Sequence, residues 1–134
     1  MNYYEIKAFS ASAIKAGAVS MLNMKSFIES GIDATNAMRC GSLRHLALLE
    51  YDRFLNLIVN DANRNTNIFK DLAAKHGKEN IVKTAEKEEA EAARMAVLDH
   101  PVVIDNNLFI GGETEKEYYW QHEGFGCKAK LDWV

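Results

Sequence analysis

The sequence predicts an α+β fold, helices first and a β-hairpin last, on three observations. Apolar residues recur at helical spacing through most of residues 1–110, the period changes to two over 113–134, and glycines or capping residues mark the joins. With 134 residues, 48% hydrophobic and 26% charged, the chain carries enough apolar material for one domain with a single core. The expected domain runs over 1–134, with 1–110 mostly helical and 113–134 as the hairpin.

Composition excludes several classes. No stretch approaches the ~18 consecutive apolar residues of a membrane span, so no membrane is expected. The start Met1-Asn2-Tyr3-Tyr4-Glu5 does not read as a secretion signal. Cys40 and Cys127 lie far apart, which argues against a disulfide scaffold or zinc ribbon and suits a reducing cytoplasm. A net charge of −3 excludes a generally basic nucleic-acid coat but allows a local basic groove.

The elements follow in order. Ser10 to Gly31 reads as two short helices, capped by Ser10 or Ser12 and broken between Gly17 and Met24. A stronger helix runs from about Asp33 to Glu50, with Ala37, Met38, Leu43, Leu46, Leu48 and Leu49 as its core. Gly41-Ser42 sits inside it, where glycine costs ~1 kcal/mol against alanine and is tolerated where something approaches closely. Phe54 to Val59 reads as a short β-rich run, 63–67 as a loop, and Ile68 to His76 as a helix ended by Gly77. Ile81-Val82 is an edge strand. Thr84 caps a charged surface helix from Ala85 to Asp99, with a thin seam at Ala92, Met95, Ala96 and Leu98; the Glu86 to Glu91 run is its solvated face. His100-Pro101 ends it, a further helix spans Pro101 to Phe109, and Gly111-Gly112 breaks that.

The last segment alternates. On its second strand Cys127, Ala129, Leu131 and Trp133 form an apolar face opposite Lys128, Lys130 and Asp132. A two-residue turn at Glu123-Gly124 pairs His122 with Phe125, Glu117 with Lys130 and Glu115 with Asp132. Opposed side chains lie ~4.5–5.5 Å apart at Cβ, where two carboxylates repel. Two readings stay open: a divalent cation between them, or an exposed face whose Lys116, Lys128 and Lys130 neutralise the acids. A three-residue loop would remove the pairing.

His45 is the second candidate, sharing a helix face with Gly41 and Ser42. Small neighbours leave room for a carboxylate, a metal or a backbone beside it, and a satisfied core histidine is the plainer alternative. His76, His100 and His122 form no ligand cluster, and both cysteines read as buried structural residues. Phosphate loops, nucleophile elbows and His-Glu-x-x-His motifs are absent from the sequence.

The run Gly41-Ser42-Leu43-Arg44-His45-Leu46-Ala47-Leu48-Leu49-Glu50, then Phe54, resembles the Gly-[Thr/Ser]-x-x-His-x-x-x-Leu-Glu helix of RecE-like phage and prophage exonucleases. These belong to the PD-(D/E)xK nuclease superfamily. Ser10-Ala11-Ser12 resembles the family's opening Ser-x-Ser helix, and Ala92 to Pro101 the helix before its core sheet. Glu115 to Trp120 and Cys127-Lys128-Ala129-Lys130-Leu131-Asp132-Trp133 resemble its Glu strand and Cys-Lys-x-[Arg/Lys]-x-Asp-Trp strand.

The resemblance implies N-terminal helices packed on a partial mixed sheet, the front part of a restriction-endonuclease-like core. It implies catalytic and metal roles for His45, Asp132 and Glu115, phosphate contacts from Lys128 and Lys130, and Mg²⁺ or Mn²⁺ as cofactor. Double-stranded DNA, a single-strand annealing protein and a homo-oligomer are the implied partners, and the cytoplasm the location. The family's Asp/Glu-x-Lys strand does not follow Asp132, so the sequence reads as cut short and this chain alone is expected to have little or no nuclease activity. A non-catalytic DNA-binding or protein-interaction module is the alternative.

Overall fold

The structure, a computed structural model, describes residues 2–134. In chain order the elements are α1 (Ala11–Val19), α2 (Met21–Ser30), α3 (Asn36–Leu49), α4 (Tyr51–Leu55), β1 (Ile58–Val59) and α5 (Asn67–His76). Then come β2 (Ile81–Val82), α6 (Thr84–Leu98), α7 (Pro101–Asp105), β3 (Thr114–His122) and β4 (Phe125–Trp133). The fold is α+β. Among the described residues no helix is long and apolar enough to cross a membrane. The chain divides into two compact units, one joining the segment through Asp33 to Gly112–Val134, the other Ala34–Gly111.

In the first unit, Ser20 ends one helix and starts the next. Its extended backbone (φ −164°) stops α1, and its hydroxyl accepts from the Asn23 N–H at 3.1 Å to cap α2. Gly17 lets the two helices meet: a Cβ there would lie 2.9 Å from the Met24 Sδ. Strands β3 and β4 pair antiparallel in the register of the two-residue turn, with His122 on Phe125 and Glu117 on Lys130. Glu123 and Gly124 both have positive φ (48° and 83°), the type I′ geometry that matches strand twist. Gly112 is required where the Trp133 ring closes the hairpin's open end, since a Cβ would sit 2.4 Å from it.

The sheet is not the single mixed one expected. Two separate two-stranded sheets form, β1–β2 parallel and β3–β4 antiparallel, and one parallel bridge joins Phe9 to Cys127. Phe54 also leaves the expected strand. The chain takes a helical turn through Tyr51–Leu55 first, so only Ile58 and Val59 remain extended.

The core of the second unit is Ala47, Phe54, Leu57, Val82 and Ala90, with Leu43, Leu46 and Tyr51 against it. Ala47 and Ala90 are almost fully buried, and their small side chains let α3 and α6 approach closely. The seam of α6 is therefore shifted from the one expected: Ala90, Ala93 and Val97 turn inward, while Ala92, Met95 and Ala96 are exposed. Met38 of α3 is likewise exposed. Alanines on several faces of α6 leave the sequence unable to say which face its partner selects.

Two cations of α6 bracket the rings of α4. The Arg94 guanidinium lies 3.7 Å from the Tyr51 centroid, Tyr51 stacks on Phe54 at 5.8 Å, and the Lys87 ammonium lies 5.4 Å from the Phe54 ring. Thr84 is held from outside its helix rather than capping it. Asp61 accepts from the Thr84 N–H at 2.8 Å and from its hydroxyl at 2.6 Å. These bonds, the hydroxyl's first, hold the Asp61 carboxyl below its ordinary 3.8.

Phe54→Ala should destabilise the second unit by about 3–5 kcal/mol through the cavity it leaves, read as a lower urea midpoint. Wild-type urea midpoints would show that the ring is not a core element. A carboxyl depressed on folding contributes stability that is complete above pH 3.8 and fades as pH falls through its lowered value. Thermal melts of wild type and Asp61→Asn should therefore differ most near neutral pH and converge at acid pH.

Candidate functional site

Strand alternation puts Glu115, Glu117 and the Tyr119 phenol from β3 on one face with Lys128, Lys130 and Asp132 from β4, while Lys116 falls on the other face opposite Leu131. Glu117 is opposite Lys130, and Tyr119 is opposite Lys128. Glu115 and Asp132 are the residues between the Thr114–Trp133 and Lys116–Leu131 pairs. Glu115 has φ +57°, a left-handed backbone inside a strand that costs a non-glycine residue about 1–2 kcal/mol. Its carboxylate ion-pairs with Lys130, both side chains being mostly shielded. Lys116 pairs instead with Glu113.

Burial on this hairpin runs against the amphipathic expectation. Lys128 is 9% exposed, whereas Leu131 on the apolar face is 46% exposed. The reason is the N-terminal segment, which packs on the charged face. The Lys128 ammonium donates to the Tyr3 carbonyl at 2.8 Å and to the Ile6 carbonyl at 2.7 Å, with the Tyr3 ring centroid 4.4 Å away. The Lys128 N–H donates to the Phe9 carbonyl at 2.8 Å. Burial pulls the Lys128 ammonium below its ordinary 10.5, and the Glu117 charge opposes that shift. Lys130 lies near Tyr4 and Tyr3, 5.3 and 5.9 Å from their ring centroids.

His45 belongs to the second unit, on α3. It is half-buried, with its Nε2 shielded from water. Glu50 offers a ligand atom within 4.8 Å of one on His45. Glu50 stands where α3 ends, at φ −128° and ψ 56°, and Arg53 donates to its Oε2 at 2.7 Å. Its closeness to His45 was not foreseen from sequence, because five residues apart on a continued helix is not the same face. The Leu49-Glu50 end of the His45 helix was the only hint. Gly41 faces open space, since a Cβ there would meet no atom within 4 Å, so nothing uses the room it leaves. Cys40 and Cys127 are half-buried rather than buried.

Comparison of the chain with protein-family models, with characterised proteins and with solved structures finds no match. The functional reading therefore rests on the residues themselves. The Glu115 backbone gives a direct test. Glu115→Gly and Glu115→Ala both remove the ion pair, but only glycine relieves the positive φ. Urea unfolding should show the glycine variant more stable by about 1 kcal/mol; equal stabilities would mean that position 115 is not left-handed.

Proposed function

We propose that this chain comes from a RecE-like, Mg²⁺-dependent 5′–3′ double-strand DNA exonuclease of the PD-(D/E)xK superfamily. The observation that carries the reading is the hairpin register, which sets Glu115 and Asp132 between the same two residue pairs. The ordered motifs around Ser10, His45, Glu115 and Asp132 support it. The donors suit a divalent cation. Carboxylates favour Mg²⁺ or Mn²⁺, and an imidazole beside a carboxylate, as with His45 and Glu50, suits a transition metal better than Mg²⁺. Such an ion would polarise a phosphodiester and lower the pKa of an attacking water.

In this reading Asp132 and Glu115 would hold the metal, the family resemblance gives His45 the role of ligand or organiser, and Lys130 would face phosphate. The enzyme acts in the cytoplasm in phage or prophage recombination, forms a homo-oligomer, and supplies 3′ single strands to an annealing protein. A non-catalytic DNA-binding or protein-interaction module is the second reading. Two observations favour it: Lys130 is already paired, and Lys128 spends its donors on carbonyls.

Calorimetric titration with Mn²⁺ should show binding that Asp132→Ala abolishes. Full Mn²⁺ binding by Asp132→Ala would remove the site assignment.

A further inference from the structure

Of Lys128 and Lys130, the two lysines that the proposed function gives to phosphate, the first is bonded to the chain's own N-terminal segment and the second is paired with Glu115 beside that segment's rings. Residues 3–6 supply the two carbonyls on Lys128, and the Tyr3 and Tyr4 rings lie near Lys130. The segment is a single 3-10 turn, Tyr3–Glu5, closed by local bonds: Asn2 Oδ1 accepts from the Tyr4 N–H at 3.2 Å and Glu5 Oε2 from the Asn2 N–H at 3.3 Å. Nothing in it is a long helix or a strand. It is therefore closed as a local unit, tied to the hairpin by the two Lys128 bonds and by the Tyr3 and Tyr4 rings.

We propose that residues 3–6 form a latch that occupies Lys128 in place of phosphate and covers the Lys130–Glu115 pair with the Tyr3 and Tyr4 rings, and that a polyanion reaches Lys128 by displacing it. A bond from an ammonium to a neutral carbonyl is already charge-assisted, and a phosphate or sulfate oxygen adds to it the attraction of a full opposite charge. A phosphate or sulfate oxygen can thus outcompete the Tyr3 and Ile6 carbonyls for the same donors. The Tyr4 ring is 76% exposed, so the hold of the latch comes from the half-buried Tyr3 ring, 6.2 Å from that of Tyr119, and from Ile6. Beyond Ile6 the Phe9 backbone remains bonded to Gly126 and Lys128, so the latch has a fixed hinge. The identity of the polyanion as DNA rests on the function proposed above; the latch itself does not.

The test combines lysine reactivity with polyanion binding, using the full chain. Reductive methylation read by mass spectrometry should leave Lys128 protected relative to the exposed Lys15 and Lys25 of the same unit. The double variant Tyr3→Ala, Tyr4→Ala should raise Lys128 and Lys130 labelling and bind heparin about tenfold more tightly at low salt. Mg²⁺ is included because Glu115, Glu117 and Asp132 share the face. Hydrogen exchange of residues 2–9 in the wild-type chain provides a second measurement that needs no variant, and added heparin should accelerate it. Unchanged heparin affinity in the variant, or unchanged exchange in the wild type, overturns the latch. A gain for heparin without a gain for duplex DNA keeps the latch and removes the nuclease reading.

Discussion

The turn at Glu123-Gly124 constrains everything that follows on the hairpin. Two consecutive residues with positive φ match the right-handed twist of the strands they join, so the pairing begins at His122 and Phe125 without slack. A shift of one residue would send every side chain to the opposite face. Because the turn holds, three acids and two lysines meet on one face, and the chain has to neutralise them there. The Lys130–Glu115 pair neutralises two of them, and the N-terminal segment solvates Lys128 with backbone carbonyls in place of water.

The cost of that solution is visible in the backbone and in the charges. Glu115 adopts a left-handed conformation within a strand, and the Lys128 ammonium is drawn out of water. Two carbonyls at 2.8 and 2.7 Å and a nearby tyrosine ring compensate the lysine. A buried ammonium so satisfied is stable, yet its partners are neutral. The same residues therefore serve the fold in the absence of a ligand and remain chemically suited to an anion.

The second unit solves a different problem with similar means. Its core is small, and alanines at the α3–α6 crossing bring the helices close enough for α4 to be clasped at the side. There again cations serve structure: Arg94 and Lys87 flank the Tyr51–Phe54 stack, and Lys87 also donates to the Leu55 carbonyl at 3.3 Å. Basic residues on this chain thus have roles within the fold that their type alone does not reveal. His45 lies in this unit beside Glu50, brought near by the change of direction at the end of α3.

What the sequence determined by itself is local. The paired N-terminal helices, the Gly77 stop, the hairpin turn and its register all depend on residues near one another, whose capping and φ preferences act before any distant contact forms. The pairing of Glu117 with Lys130 and of His122 with Phe125 was legible for that reason. Tertiary structure decided the rest: which face of α6 is buried, Phe54 as helix rather than strand, two small sheets in place of one, and Lys128 beneath the N-terminal segment. Each of these depends on which distant group arrives to take up a donor or cover an apolar surface. Alternation can place a lysine on a face of the hairpin; only the segment that packs there determines whether that face meets water.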